Sequence, residues 1–457
     1  MESDRRASVA VVGAGVSGLA AARLLQRAGL SVTVFEAGDH PGGQVHTLEI
    51  ASGVHVDVGA EALHLAAPGV IDLLEDLGLA NSMVAARPLD GRLLTTRGLR
   101  PLPAGVGPAG PSRLGPVLRS GTLGWAALAR AGLEPVVARA SRPLPAGRDV
   151  SVGDFVTRRF GRQVTATFVD PLLGSLHAGD VGRLSLRACA PALVPAATGR
   201  RSLVLRRPPR HPALGFVSWP GGLGELVAAL AGELDIRTGS PVTAVTARGD
   251  RFEVSTGVTS TTVDAVVLAL PAHPASKLLT DLSPAAAGVL GSGEVASVAT
   301  VLISVDPAAA RAHLQGTGVL MPSRQGRLLK AATHLSDKWP HLAGHEGYWV
   351  RLSAGRAGDD RLATLSDDEL VSHLLRDLHE VTGLAAEPTR VVVRRWPAAL
   401  PQLTVGHLDR VCAARAALPD RVLLAGAAVD GVGLASALRS GSAAAASLLR
   451  TEPQEVT

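Results

Sequence analysis

Near the N-terminus, Ser8–Val12 is a short run of β-branched and small apolar residues, the pattern of a strand buried on both faces of a parallel sheet. Residues 13–18 break that run with three glycines, and 19–28 is rich in the helix formers Ala, Leu and Arg. Gly29 follows as a helix stop, and Ser31–Phe35 repeats the strand pattern. The spacing predicts a right-handed βαβ unit. Strand-like runs return at 242–246, 252–255, 265–270 and 421–425, and an Ala-rich helix is expected over about 433–449. These late runs are expected to complete the sheet that the first two strands begin. Residues 101–214 read as mostly helical, whereas 272–410 mixes strands such as 298–305 with helices such as 368–382. The fold class expected is α/β, Rossmann-like, with a discontinuous cofactor domain from 1–98, 215–271 and 411–457. Its insertions, 99–214 (mostly helical) and 272–410 (mixed), would form an inserted α+β substrate domain. No internal repeat is present, and the final eight residues, RTEPQEVT, read as a frayed tail.

Composition narrows the function classes. With 457 residues, 46% hydrophobic and 19% charged, the chain is globular and long enough for two packed domains. The formal charge is +5, and only Lys277, Lys330 and Lys338 among 45 basic residues are lysines, leaving 45 − 3 = 42 arginines. That excess fits either a GC-rich coding bias or attraction to anionic ligands. Its densest stretch holds Arg200, Arg201, Arg206, Arg207 and Arg210. No aromatics interleave with these charges and no reading-head motif is present, so nucleic acid is not expected as a partner. Cys189 and Cys412 have no metal-ligand spacing and make no disulfide framework, which suits a reducing interior. No signal-peptide pattern opens the sequence and no apolar run approaches the ~18 residues that span a bilayer. A cytoplasmic protein is expected, with peripheral membrane contact left open, and no feature assigns an oligomeric state.

Chemistry first becomes specific at the glycine turn. Gly13 permits a tight turn, Ala14 follows it, and Gly15 lets backbone approach a pyrophosphate. Val16 and Ser17 open the helix whose N-terminus would face the phosphate charge, and Gly18 allows close packing on the strand. Glu36, followed by Ala37, stands at the end of the second strand, placed to accept hydrogen bonds from ribose hydroxyls. Strand, glycines, helix, strand and terminal acid coincide, which a simple glycine turn does not require. An acid there argues against a phosphorylated ribose. Next come Pro41-Gly42-Gly43 and the segment Val58-Gly59-Ala60-Glu61. With these residues the sequence resembles the flavin amine oxidase and protoporphyrinogen oxidase superfamily. That resemblance implies a two-dinucleotide-binding FAD domain, with Gly42, Gly43, Gln44, Gly59, Ala60 and Glu61 against the cofactor. Many relatives carry arginine just after the glycine pair, where this chain has Gln44 and His46. His46 is read as a solvated turn histidine.

Four further segments resemble the porphyrinogen oxidase branch: FVDPLLGSLHAGDVGRLSLRACAP, FVSWPGGLGELVAAL, TRVVVRRWPAALPQLTVGHLDRV and VLLAGAAVDGVGLASALRSGSAAA. The resemblance implies FAD contacts from Val242, Trp396, Gly426 and Val432. Independently of family, the last segment delivers a glycine-bounded strand end to a helix N-terminus near Val432, whose partial positive charge would favour electron acceptance by a ring beside it. The branch often has tyrosine where this chain has His177, Leu403 and Val429, which would alter the fit of a substrate. The implied reaction is oxidation of a porphyrinogen, a tetrapyrrole substrate, to a porphyrin for haem synthesis, with dioxygen reoxidising the flavin. A basic chain without a membrane-inserting segment favours coproporphyrinogen III, with four propionates, over protoporphyrinogen IX, with two. Arg97, Arg100 and Lys338 are candidate carboxylate partners; no catalytic residue, Ser-His-Asp set or metal cluster is evident. The rival readings are an amine oxidase or secondary-metabolite dehydrogenase of the same superfamily, or a catalytically inactive flavin-binding protein. The late motif lacks the aromatic pair, and 294–305 the lysine, that an amine oxidase needs.

Overall fold

The computed structural model describes residues 6–88, 91–205, 215–385 and 387–451. Arg206, Arg207 and Arg210 of the arginine-dense stretch, and most of the expected C-terminal tail, lie outside them. The chain divides into two compact units, one of Met1–Val84, Leu214–Glu294 and Leu408–Thr457, the other of Ala85–Ala213 and Val295–His407.

The first unit is built on a five-stranded parallel sheet in the order Asp235–Arg237, Ser31–Phe35, Ser8–Val12, Ala265–Leu268, Val422–Leu424. Alternation along Ser8–Val12 sends Val9 and Val11 to one face and Ala10 and Val12 to the other. The first face is covered by the helices Val16–Arg27, Gly224–Ala231 and Leu434–Thr451. Gly441 lets the last helix approach the first closely, since a Cβ there would collide with the Ser17 carbonyl oxygen and lie 3.0 Å from the Ala21 nitrogen.

The second face corrects the sequence reading. The runs near 242–246 and 252–255 do not extend the parallel sheet. Ala244–Arg248, Arg251–Ser255 and Ser260–Val263 form a separate antiparallel sheet, whose Val245, Phe252, Val254 and Val263 pack on Val12, Phe35, Val266 and Leu268. Their short connections, 249–250 and 256–259, favour antiparallel pairing over the longer crossovers a parallel sheet needs. The helices Ala272–Leu279 and Pro284–Gly291 complete this face, so they belong to the first unit.

In the second unit a seven-stranded sheet runs in the order Arg390–Pro401, Val295–Val305, Tyr348–Ala354, Leu329–His334, Gly318–Leu320, Arg92–Thr95, Gly98–Pro101. The hairpin Arg92–Pro101 joins it through parallel pairing with Gly318–Leu320, which places that hairpin here and not with the cofactor strands. One face is filled by Val301, Ile303, Val350 and Leu352 together with Leu370, Leu374 and Leu378 of the helix Asp367–Thr382. A capping box between Ser366 and Glu369 starts that helix. Short helices between 114 and 197 form the remaining core, into which Leu93 and the half-buried Leu320 also pack. Within it the Arg159–Glu134 pair is almost completely buried at 2.8 Å, and Glu134 also accepts from Ser202 and the Leu203 amide. The segment Thr165–Gly174 is a π-helix containing Pro171, a form the sequence pattern does not foretell.

Candidate cofactor site

Neighbours on opposite sides of Ser8–Val12 are reached by opposite connections, so a crevice opens at its carboxyl end. The glycine turn sits there. Gly13 holds φ +101°, donates its N–H to the Phe35 carbonyl at 2.8 Å, and would place a Cβ 2.6 Å from the Ala269 oxygen. A Cβ at Gly18 would collide with the Gly13 oxygen. Gly15 differs from both: the nearest atom to a Cβ there is the Gly43 Cα at 4.0 Å. Gly15 caps the helix Val16–Arg27 without any side-chain acceptor, and the first intrahelical bond runs from Leu19 to Gly15. The first-turn amides of Val16, Ser17 and Gly18 therefore have no intrahelical acceptor. The turn thus has the open backbone and free donors that a pyrophosphate requires.

Glu36 closes one end. Its carboxylate accepts from the Ala14 and Gly38 amides, both at 2.8 Å. Two oxygens offer about four acceptor sites, so capacity remains for ribose hydroxyls. The exposed Ala37 follows it. The Ser240 amide donates to the Glu36 carbonyl at 2.8 Å, which brings the loop carrying half-buried Val242 to the same strand end.

Gly42 and Gly43 lie directly over the turn. The Gly42 amide donates to the Ala14 carbonyl at 2.9 Å, and a Cβ at Gly43 would fall 3.1 Å from the Gly15 Cα. Gln44 then accepts from the Ala60 amide at 2.8 Å, joining Gly59, Ala60 and Glu61 to this layer. His46 is half-buried, and its ring nitrogen meets that of His40 at 2.9 Å in a solvent-exposed pair.

The C-terminal motif reaches the first helix from the other side. Gly426 holds φ +112°, and a Cβ there would lie 3.8 Å from the Ser17 hydroxyl. Its amide donates to Ser440 Oγ at 2.8 Å, Ser440 donates to Asp430 at 2.5 Å, and Arg415 pairs with Asp430 at 2.6 Å. Gly431 and Gly433 flank Val432 with φ +110° and +105°, and the helix begins at Leu434. All the glycine-turn, Glu36, Gly42–Gly43, Gly59–Glu61, Val242, Gly426 and Val432 positions thus fall within one unit.

Trp396 belongs to the second unit, where its indole N–H meets Thr300 Oγ1 at 3.4 Å and Arg394 lies over its ring. Arg97 and Arg100 are exposed on the edge hairpin, and half-buried Lys338 sets its ammonium 5.2 Å from the Trp339 ring centroid. His177 is buried, and burial pushes its pKa down to about 4; burial also raises the Cys189 thiol to about 12. Although Cys189 Sγ lies 4.0 Å from His177 Nδ1, both are neutral at pH 7 and make no nucleophilic pair. Leu403 and Val429 are core residues. Among the described residues no group of three or more His, Cys, Asp or Glu is placed to hold a metal, and no helix is long and apolar enough to cross a membrane.

Sequence reading missed Asp57 and Thr47. Buried Asp57 accepts from the Leu223 amide at 3.0 Å and from Thr47 Oγ1, while Thr47 accepts from the Gly224 amide. This ties the glycine-rich start of the helix Gly224–Ala231 to the cofactor layer. The only local signal was an acid inside an otherwise apolar segment.

The family model of flavin-containing amine oxidoreductases matches residues 16–449. The chain belongs to that family. A flavin carried on a dinucleotide-binding turn is FAD, and the protein is a flavin-dependent oxidoreductase. The coproporphyrinogen III oxidase of Mycobacterium tuberculosis is 35% identical over 98% of this chain and 99% of its own length. The coproporphyrinogen III oxidase of Bacillus subtilis is 28% identical over 98% and 99%. A crystal structure of an Exiguobacterium protein assigned as a protoporphyrinogen oxidase superposes with TM-score 0.87 at 28% identity, covering 98% and 99% of the two chains.

Proposed function

We propose that this protein oxidises coproporphyrinogen III to coproporphyrin III in haem synthesis, using FAD and dioxygen, in the cytoplasm. The observation that carries the reading is the near full-length similarity to oxidases named for that substrate, over a chain whose glycine turn fits the cofactor. Bound FAD supplies a two-electron acceptor. The chain's own residues hold it: the Val16–Gly18 amides at the pyrophosphate, Glu36 at the ribose, and the positive end of the helix Leu434–Thr451 as a source of electrostatic support. Going from porphyrinogen to porphyrin removes six electrons and six protons. Three dioxygen molecules would become three of hydrogen peroxide. Aromatisation of the macrocycle drives the overall oxidation, so positioning outweighs any dedicated strong base.

The test is to purify the protein with its flavin, supply coproporphyrinogen III and protoporphyrinogen IX separately in air, and follow porphyrin fluorescence and peroxide. Faster turnover of the four-propionate ring is expected. Equal rates would remove the substrate preference, and no porphyrin from either would defeat the reading. A similarity to a protoporphyrinogen oxidase structure is what keeps the two-propionate ring as the comparison.

A further inference from the structure

Lys330 is a nearly buried lysine whose charged neighbours are all positive. It stands at the bulge that opens the strand Leu329–His334 and is only 6% exposed. Among the described residues its side chain makes no hydrogen bond or ion pair, so the ammonium is nearly, though not wholly, enclosed. Its charged neighbours are Arg356 and Arg351, and with burial they push its pKa down to about 7. Burying a lone ammonium is costly, and adding positive neighbours makes it more so.

Arg356 repeats the pattern beside it. Its Nη2 donates to the Met321 carbonyl at 3.0 Å, while the Met321 amide donates to the Lys330 carbonyl at 3.0 Å. Its other terminal nitrogen, Nη1, is buried without a partner. The acids that act on Arg356 are engaged elsewhere: Asp170 accepts from the Ser323 amide and hydroxyl, and Asp359 is paired with Arg361. Two unusual backbone features adjoin this cluster. Asp170 lies in the π-helix, and the residue after Arg356 donates to Ala178, a non-glycine residue at φ +47°. Such features concentrate where structure is held for a ligand.

We infer that Lys330 and Arg356 form a carboxylate-binding site, and that a propionate of the tetrapyrrole substrate occupies it. The second half rests on the function proposed above; the first half does not. A nearly buried ammonium with only positive neighbours and a guanidinium nitrogen buried without a partner are two donors that one anion can satisfy, and a carboxylate offers two oxygens to receive them.

The test uses the holoenzyme and the variants Lys330→Gln, Lys330→Arg and Arg356→Gln. Binding of coproporphyrin III and of its uncharged tetramethyl ester is measured by fluorescence titration in one buffer. Lys330→Gln and Arg356→Gln should weaken the free acid at least about tenfold and leave the ester unchanged, and Lys330→Arg should restore most of the loss. The thermal midpoint of Lys330→Gln at pH 7 should not fall, because a structural lysine would stabilise whereas this one does not. Equal affinity of wild type and Lys330→Gln for the free acid, or equal loss for acid and ester, overturns the assignment. A lowered midpoint that Lys330→Arg fails to rescue also overturns it. Sodium propionate supplies the independent arm: it should raise the midpoint of wild type and not of Lys330→Gln. If both rise alike, the anion site is overturned. If only wild type rises while porphyrin binding ignores Lys330, the carboxylate site stands and the substrate assignment falls.

Discussion

The Asp57 carboxylate accepts the backbone amide of Leu223, 166 residues away, and so fixes the start of a helix to the strand that precedes Gly59. The same carboxylate receives Thr47. One buried acid therefore joins three segments that surround the dinucleotide turn.

Replacing Asp57 by Ala leaves the Leu223 amide and Thr47 without their acceptor. A loss of about 2 kcal/mol is expected from the charged cap and the unmatched donor, with Asp57→Asn retaining part of it. Thermal unfolding reads the first quantity. Flavin absorbance after gel filtration reads the second, and Asp57→Ala should retain less FAD. Unchanged stability in both variants would remove the cross-link from any account of this fold.

Gly15 and Gly18 should respond in opposite ways. Because a Cβ at Gly15 meets no atom nearer than 4.0 Å, Gly15→Val should fold as an apoprotein within about 1 kcal/mol of wild type. It should bind no FAD, because the side chain fills the space left for the pyrophosphate. Gly18→Ala collides with the turn itself and should cost about 1–3 kcal/mol in the apoprotein. Calorimetry with and without added FAD separates the two. A Gly15→Val protein that stays yellow would show that the turn does not hold the cofactor.

Acid should weaken the protein through His177. Its folded pKa, about 4, lies below the ~6.5 of an unfolded histidine, so the unfolded chain takes up the proton first as pH falls. Stability is then full above pH 6.5 and declines between 6.5 and 4, by up to about 3 kcal/mol. His341, also pushed down to about 4 by burial, adds to the slope. Denaturant titrations across that window should show a shallower decline for His177→Leu than for wild type. Parallel curves would mean that His177 is not the group responsible.

The first βαβ unit was legible because its signals are local. Gly13, Gly15 and Gly18 each answer a steric demand set within a few residues, and Glu36 marks the strand end. The residues 244–263 were legible as strands but not as a separate sheet, since β-branched runs announce a strand and not its partner. Asp57 gave no hint of Leu223, and Lys330 read as one basic residue among many. Its burial and its nearness to Arg356 come from tertiary packing, which no short window of sequence shows.

Gly441 seats the last helix on Ser17 and Ala21 of the first. A ribosome delivers these two surfaces more than four hundred residues apart, so the apolar side of the helix Val16–Arg27 must wait until the helix Leu434–Thr451 has emerged for its cover. A nascent product that stops before residue 434 leaves that surface exposed and open to aggregation or proteolysis.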